Sequence, residues 1–320
     1  PAFGRLCSAI SGQSAAARIA RGTDILSTRS WAEIAPETGR PFIKMQGLEN
    51  HFVIVDGRET AYAPGPQEAT HICNPGTGIG ADQLLIIQHP TEAGRVAGAY
   101  AFMRIINIDG RDAEACGNAT RCFAWLMLEE TGQDALILET VVGPLACRRV
   151  GERQVSVEMG RIVTDWQAIP LAQTADTLHV NPGNGPLSDG IALNIGNPHV
   201  VFFVDDLDAV DMASVAPPIQ TDPMFPAQVN VGVAQMLGDD TIRLTVYERP
   251  GILTRACGSG ACVAVRAAQL RGLTNHSHVT VQMPAGAVEI DIQDDGSAVL
   301  TGPIDFCFSG TLPGPDRKTP

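Results

Sequence analysis

The chain repeats itself, and that constrains its fold more than any other feature. Residues 114–122 read EACGNATRC and residues 255–262 read RACGSGAC, so Cys116 and Cys257 stand in nearly one frame, 141 positions apart. LILETVVGPLAC (136–147) aligns with VTVQMPAGAVEI (279–290), setting Gly143 against Gly286. VEMG (157–160) aligns with VLTG (299–302), and NHFVIVD (50–56) parallels NPHVVFFVD (197–205). Four segments in one order at a nearly constant offset describe two copies of one domain. Two such copies face each other about a pseudo-twofold axis. The bridge between them, 164–190, is rich in turn formers.

Each copy has the same plan. Short β-branched runs broken by Gly, Pro and Asp predict antiparallel strands. One helix follows each cysteine. In the first copy Ala119, Cys122, Phe123, Leu126 and Met127 keep helical spacing, with Gly132 as the stop. In the second, Ala261 to Leu270 is nearly all apolar, and Gly272 is the stop. Helices apolar round most of their circumference are buried. The expected fold is α+β, with two pseudo-symmetric domains. Each is a mostly antiparallel sheet or barrel wrapped around a central helix, and the active site lies in the cleft between them. The alternating helices of a doubly wound parallel fold are missing. The expected divisions are a loosely attached or disordered N-terminal extension (1–40), a first domain (41–163 with 303–320) and a second (164–302).

Composition narrows the function. At 320 residues the chain suits two domains, and 44% hydrophobic with 18% charged residues describes a globular protein. A formal net charge of -13 argues against nucleic acid as a partner. No apolar run approaches the ~20 residues that span a bilayer, so no membrane partner is expected. Of the 22 basic residues only Lys44 and Lys318 are lysines, and neither sits in a phosphate-binding context. A pyridoxal-phosphate enzyme, which needs a Schiff-base lysine, is therefore not expected. Eight cysteines are too few for a disulfide scaffold in a chain this long. A reducing cytoplasm is the simpler compartment.

Each motif cysteine lies where a loop becomes a helix N-terminus. Free N–H groups and the helix dipole there stabilise an anion, either a thiolate or a bound carboxylate. The glycine that follows lets a substrate approach the backbone. Facing copies would put two thiols on opposite sides of one cleft, the arrangement for two-base inversion at a carbon. Other readings stay open. A zinc site of Cys116, Cys122, Cys257 and Cys262 has poor ligand spacing. A redox dithiol would prefer C-x-x-C. Structural roles leave the shared frame unexplained. Glu248 and Arg249 interrupt LTVYERPG just before the second motif, and Asn107 holds the equivalent place before the first. Taken alone, the charged pair reads as solvated. Asn197 and His199 in GNPH suit an Asx-turn, and GTGIGADQ (76–83) suits a turn entering a strand better than a phosphate loop.

Together these residues resemble the diaminopimelate epimerase family from about Pro41 to Pro303. The motifs are KMQGLENHF, GIGADQLL, NIDGRDAEACGNATRC, GNPHVVFFV, VNVGVAQ, YERPGILTRACGSGAC and LTGP. The resemblance implies a cofactor-independent enzyme of lysine biosynthesis with no metal, interconverting LL- and meso-2,6-diaminopimelate, and a homodimer. It implies Cys116 and Cys257 as the acid–base pair. The amides of Gly117, Asn118, Gly258 and Ser259 would hold the carboxylate at the reacting centre, Glu248 its amine, and His199 would help set a cysteine's protonation. Asn50, Gln83, Asn107, Asn197, Asn230 and Arg249 would recognise the distal end. Arginine suits that carboxylate because it can bind it bidentately. The chain departs from the family pattern at His51, Ala119 and Pro250. Alternatives are a racemase of the same fold acting on proline, hydroxyproline or histidine, and a non-catalytic thiol or metal-binding relative. Proline-type members carry His where this chain has Asn118, and they lack the Glu–Arg pair.

Overall fold

The computed structural model describes residues 39–113, 116–183 and 185–313. The expected N-terminal extension lies outside these residues apart from Gly39 and Arg40, which open the first strand. The first half runs β1 (Gly39–Gly47), β2 (Asn50–Asp56), α1 (Pro66–Cys73), β3 (Gln83–Gln88), α2 (Glu92–Val96), β4 (Ala99–Asn107) and β5 (Asp112–Ala113). It continues with α3 (Gly117–Thr131), β6 (Ala135–Thr140), β7 (Gly143–Gly151) and β8 (Gln154–Arg161). The second half runs β9 (Ile191–Asn194), β10 (Pro198–Phe203), α4 (Met212–Gln220), β11 (Asn230–Met236), β12 (Thr241–Glu248) and β13 (Ile252–Thr254). It continues with α5 (Gly258–Leu270), β14 (His278–Met283), β15 (Gly286–Ile292) and β16 (Ser297–Pro303), and β17 (Asp305–Pro313) is the last strand among the described residues.

The two halves share one topology. In the first, β1 pairs antiparallel with β2, β3 with β4, β6 with β7 and β7 with β8. The second repeats this with β9–β10, β11–β12, β14–β15 and β15–β16. Each half also has two parallel pairs, β2–β3 and β4–β6, then β10–β11 and β12–β14. Parallel neighbours need a crossover. The helices supply it in every case: α1 and α3 in the first half, α4 and α5 in the second. β17 is outside the repeat and pairs along β1.

The halves meet in a single sheet through β8 and β16. Glu158 pairs with Val299 and Val157 with Leu300. At the sequence offset of the repeat, 157 and 158 correspond to 299 and 300. The swapped pairing is what a twofold axis through this seam requires.

The helix predictions stand. α3 packs inside the first sheet on Ile43, Phe52, Ile54, Met103 and Leu138. α5 packs inside the second on Leu193, Leu244, Val281, Ile290 and Leu300. α1 and α4 cover an outer apolar layer on their respective halves. Gly132 caps α3 in the left-handed conformation at φ 68, where glycine carries no Cβ penalty. Gly272 does so at φ 67, one residue beyond the cap of α5.

One turn crosses between the halves. Leu48 and Glu49 form the two-residue connection from β1 to β2 at φ 54 and 60, unusual for side chains with a Cβ. Leu48 is buried in the second half's core beside α5. Glu49 pairs with Arg255 of the second half.

Candidate active site

Cys116 and Cys257 are the N-cap residues of α3 and α5. Both have extended backbone, φ -155 and -129, so each thiol stands at the mouth of its helix beside free N–H groups. The Gly260 amide donates to the Cys257 sulfur at 3.3 Å. The two helix starts nearly touch. A Cβ on Gly258 would lie 3.7 Å from the Gly117 Cα and 3.0 Å from a Leu300 methyl. A Cβ on Gly117 would lie 3.2 Å from the Met159 methyl. The glycines therefore let two backbones and two anion-favouring helix ends converge.

Other chain segments hold the thiols from the side. Cys116, half-buried, donates to Asn50 Oδ1 at 3.6 Å. The Asn118 amide nitrogen donates to the same oxygen and to the Ala256 carbonyl of the other half, each at 3.4 Å. Asn50 donates to Asp82 at 2.8 Å, and Asp82 also receives the His51 amide at 2.7 Å. The His51 departure thus leaves the turn held through its backbone. Asn50 stands at the Cys116 end of the site. Gln83 donates to Asn107 at 2.9 Å across β3 and β4.

In the second half Cys257 is buried, with Ser259 Oγ at 3.5 Å and the Glu248 carboxylate close enough to disfavour its thiolate. The Thr254 hydroxyl donates to Glu248 at 3.0 Å. His199 is buried, and its Nε2 lies within 3.0 to 3.3 Å of Asn197, Ser259 and Asn230. One hydroxyl, Ser259, therefore separates His199 from Cys257. Asn230 accepts the Arg249 amide at 2.9 Å, and the Arg249 side chain donates to the Ala227 carbonyl.

Electrostatics set the two thiols apart. Burial pushes Cys116 up to about 11; the amides of Ala119 and Asn118 and the charge of Arg121 pull it down, and Glu248 pushes it up. Burial and Glu248 raise Cys257 well above the ordinary thiol value. Burial also raises Glu248, while Cys257 and Thr254 oppose the shift. Burial, with Arg249 nearby, drives His199 down to about 3, so the ring is neutral at physiological pH. It cannot assist a cysteine as an imidazolium.

The residues named from sequence for the two-thiol site fall at the two helix starts or at strand ends, whereas Cys122 and Cys262, named for a zinc site, are buried within the helices. Asp82 and Arg121 were not singled out. Asp82 stands inside GIGADQLL, where a carboxylate directly before a strand invited a search for a nearby amide. Among the described residues no cluster of three or more His, Cys, Asp or Glu could hold a metal ion. No described helix is long and apolar enough to cross a membrane.

Comparison with known proteins gives the family and the fold. The family model for diaminopimelate epimerase matches residues 42–164 and 191–307. The diaminopimelate epimerase of Rhodospirillum centenum is 42% identical over 273 residues, covering 85% of this chain and 92% of the relative. That of Phenylobacterium zucineum is 43% identical over 279 residues, covering 86% and 98%. Among solved structures, a hydroxyproline epimerase from Agrobacterium vitis shares the fold at TM-score 0.62 and 15% identity, covering 87% of this chain and 94% of that one. A phenazine biosynthesis protein of the PhzF family from Enterococcus faecalis does so at 0.61 and 12%, covering 86% and 99%. The chain belongs to the diaminopimelate epimerase family.

Proposed function

We propose that this chain interconverts LL- and meso-2,6-diaminopimelate, an isomerisation in lysine biosynthesis, by proton transfer between two thiols without a cofactor. One observation carries the reading: two cysteines cap two central helices whose starts are in near contact across the pseudo-twofold axis. In each turnover one cysteine, as thiolate, takes the α-proton. The other, as thiol, gives a proton to the opposite face. The pair ends with its protonation swapped, ready for the reverse direction or for exchange with solvent. Negative charge building on the α-carboxylate meets the amides of Gly117, Asn118, Gly258 and Ser259 at the helix mouths.

Glu248 has two parts to play. Its charge opposes a thiolate at either cysteine. A substrate ammonium against Glu248 offsets that opposition, so binding itself favours the reactive form. Gln83 and Asn107 on one side, and Asn197, Asn230 and Arg249 on the other, suit the polar distal end of a diamino diacid. His199, neutral, supports Ser259 and the asparagines rather than carrying a proton. We take 41–163 with 303–320 as one half of the enzyme and 164–302 as the other. A cytoplasmic location keeps the thiols reduced, and a homodimer is the assembly to look for by sedimentation.

The test is incubation of the purified protein in deuterium oxide with LL- or meso-diaminopimelate and no added cofactor. Deuterium is expected at one α-carbon, and not with proline, hydroxyproline or histidine. Cys116→Ala and Cys257→Ala are each expected to lower turnover at least 1,000-fold, roughly the upper range for loss of an acid or base. Normal turnover in both variants would refute the two-thiol mechanism.

A further inference from the structure

Arg121 hangs from the second turn of α3 with no solvent exposure. Its Nη2 donates to Asn118 Oδ1 at 2.9 Å. Its Nε and Nη1 have no hydrogen-bond partner among the described residues, although both are buried. Burial presses its charge downward, and the groups that favour that charge are three thiols, Cys122, Cys116 and Cys262, rather than a carboxylate. Burying a guanidinium without a counter-ion is costly. An apolar side chain would fill the space without that cost. The cation also has space made for it by both halves of the chain. A Cβ on Gly302 of β16 would stand 3.0 Å from its Nε and 3.1 Å from its Cζ, and a Cβ on Gly47 of β1 would stand 3.5 Å from Nη2. The second repeat has no such cation, since CGSGAC offers no arginine where CGNATRC does.

We propose that Arg121 is the fixed internal counter-charge of the Cys116 thiolate, a positioning residue that makes the two pseudo-symmetric cysteines unequal. The proposal rests on reading Cys116 as a proton-transfer group. Three thiols feel the guanidinium, and two are poor recipients of charge. Cys122 and Cys262 have no exposure, and burial raises both, Cys262 up to about 12. Cys122 also faces Cys307 and Asp305 of β17, and the carboxylate raises it further. Cys116 is half-buried and borders the site. It is faced by Glu248 from β12, Asn50 from β2, Cys122 and Arg121 from its own helix, and the amides of Asn118 and Ala119. Arg121 is the cation in that set, and it opposes Glu248. Cys257 faces the charge of Glu248 with no cation named against it. The same guanidinium holds Asn118 Oδ1, which leaves the Asn118 amide nitrogen aimed at Asn50 and Ala256.

The test is alkylation by iodoacetamide against pH, with each modified cysteine located by peptide mass. It needs no turnover, so it is independent of the epimerase reading. In the wild-type protein Cys116 is expected to react at lower pH than Cys257. In Arg121→Met the Cys116 profile is expected to move up by about one pH unit or more, a tenfold fall in thiolate at a given pH, with the Cys257 profile in place. Arg121→Lys, which keeps the charge, is expected to restore the Cys116 profile. A purely structural arginine would leave the Cys116 midpoint unmoved in a folded Arg121→Met protein, and that result overturns the proposal. If Arg121→Met does not fold, Arg121→Gln carries the same test, and Cys257 reacting first in the wild-type protein would overturn the proposal equally.

Discussion

At the scale of single residues the site depends on which groups are kept from ionising. His199 shows this most clearly. Its ring is buried among the neutral groups of Asn197, Asn230 and Ser259, with no carboxylate to welcome a proton. Burial takes it to about 3 in the folded protein, against an ordinary value near 6.5. Between those values the unfolded chain binds a proton that the native state refuses. Stability then rises with pH through that window, and this contribution is lost as pH falls below about 6.5. The slope from this residue is about 1.4 kcal/mol per pH unit well inside the window. His199→Gln keeps amide hydrogen bonding without a titrating ring. Urea unfolding at pH 7, 6 and 5 should show that much less acid sensitivity in the variant. Identical pH slopes would mean that His199 is protonated in the native state.

At the scale of the element, the loop-to-helix unit occurs twice, and at the third residue after the cysteine its two copies differ by one methyl group. Ala119 stands three residues after Cys116; Gly260 stands three residues after Cys257. Ala119 is fully buried and fits. A Cβ on Gly260 would lie 2.8 Å from a Val246 methyl and 3.1 Å from the Cys257 sulfur. Gly260→Ala gains helix propensity of about 0.5–1 kcal/mol but forces the thiol or β12 to move. It should lower kcat about tenfold or more, because sub-ångström displacement of a reacting group is costly. Unaltered kcat would show that the sulfur has room to give. The shared frame was legible in sequence because it rests on local rules: a glycine after each cysteine, an apolar helix, a glycine stop. Gly143 and Gly286, aligned in the repeat, both open a strand at positive φ, 122 and 137. Other features depend on what packs from elsewhere and leave no local trace. Val246 decides the difference between Ala119 and Gly260. An arginine one position before Cys122 reads as a solvated face until β1 and β16 close over it. The parallel pairs β2–β3 and β4–β6 were hidden for the same reason, since strand patterning does not name the partner.

At the scale of the whole molecule, the two halves are joined too closely to behave as separate folding units. β8 and β16 pair from Gln154 through Arg161, carrying one sheet across the pseudo-twofold axis. Leu48 of the first half lies in the second half's core, Met159 packs against both cores, and Arg121 of α3 feels Cys262 of α5. Unfolding either half would expose the seam strand, uncover Leu48 and leave the Arg121 space open to water. Such shared burial makes an equilibrium transition cooperative, although a chain of this length ordinarily invites intermediates. Tryptophans give a probe in each half. Trp125 lies on α3 and donates to the Glu152 carbonyl at 3.1 Å. Trp166 packs on the outer core of the second half. With Trp31 and Trp166 changed to Phe, fluorescence reports the first half. With Trp31 and Trp125 changed, it reports the second. In each protein the urea midpoint by fluorescence should coincide with the midpoint by far-ultraviolet circular dichroism. Leu48→Ala opens a cavity in the second core and should lower both midpoints together, by about 2–4 kcal/mol of stability. A first-half probe that holds its midpoint while the second-half probe loses it would show that the halves fold independently, against the shared seam.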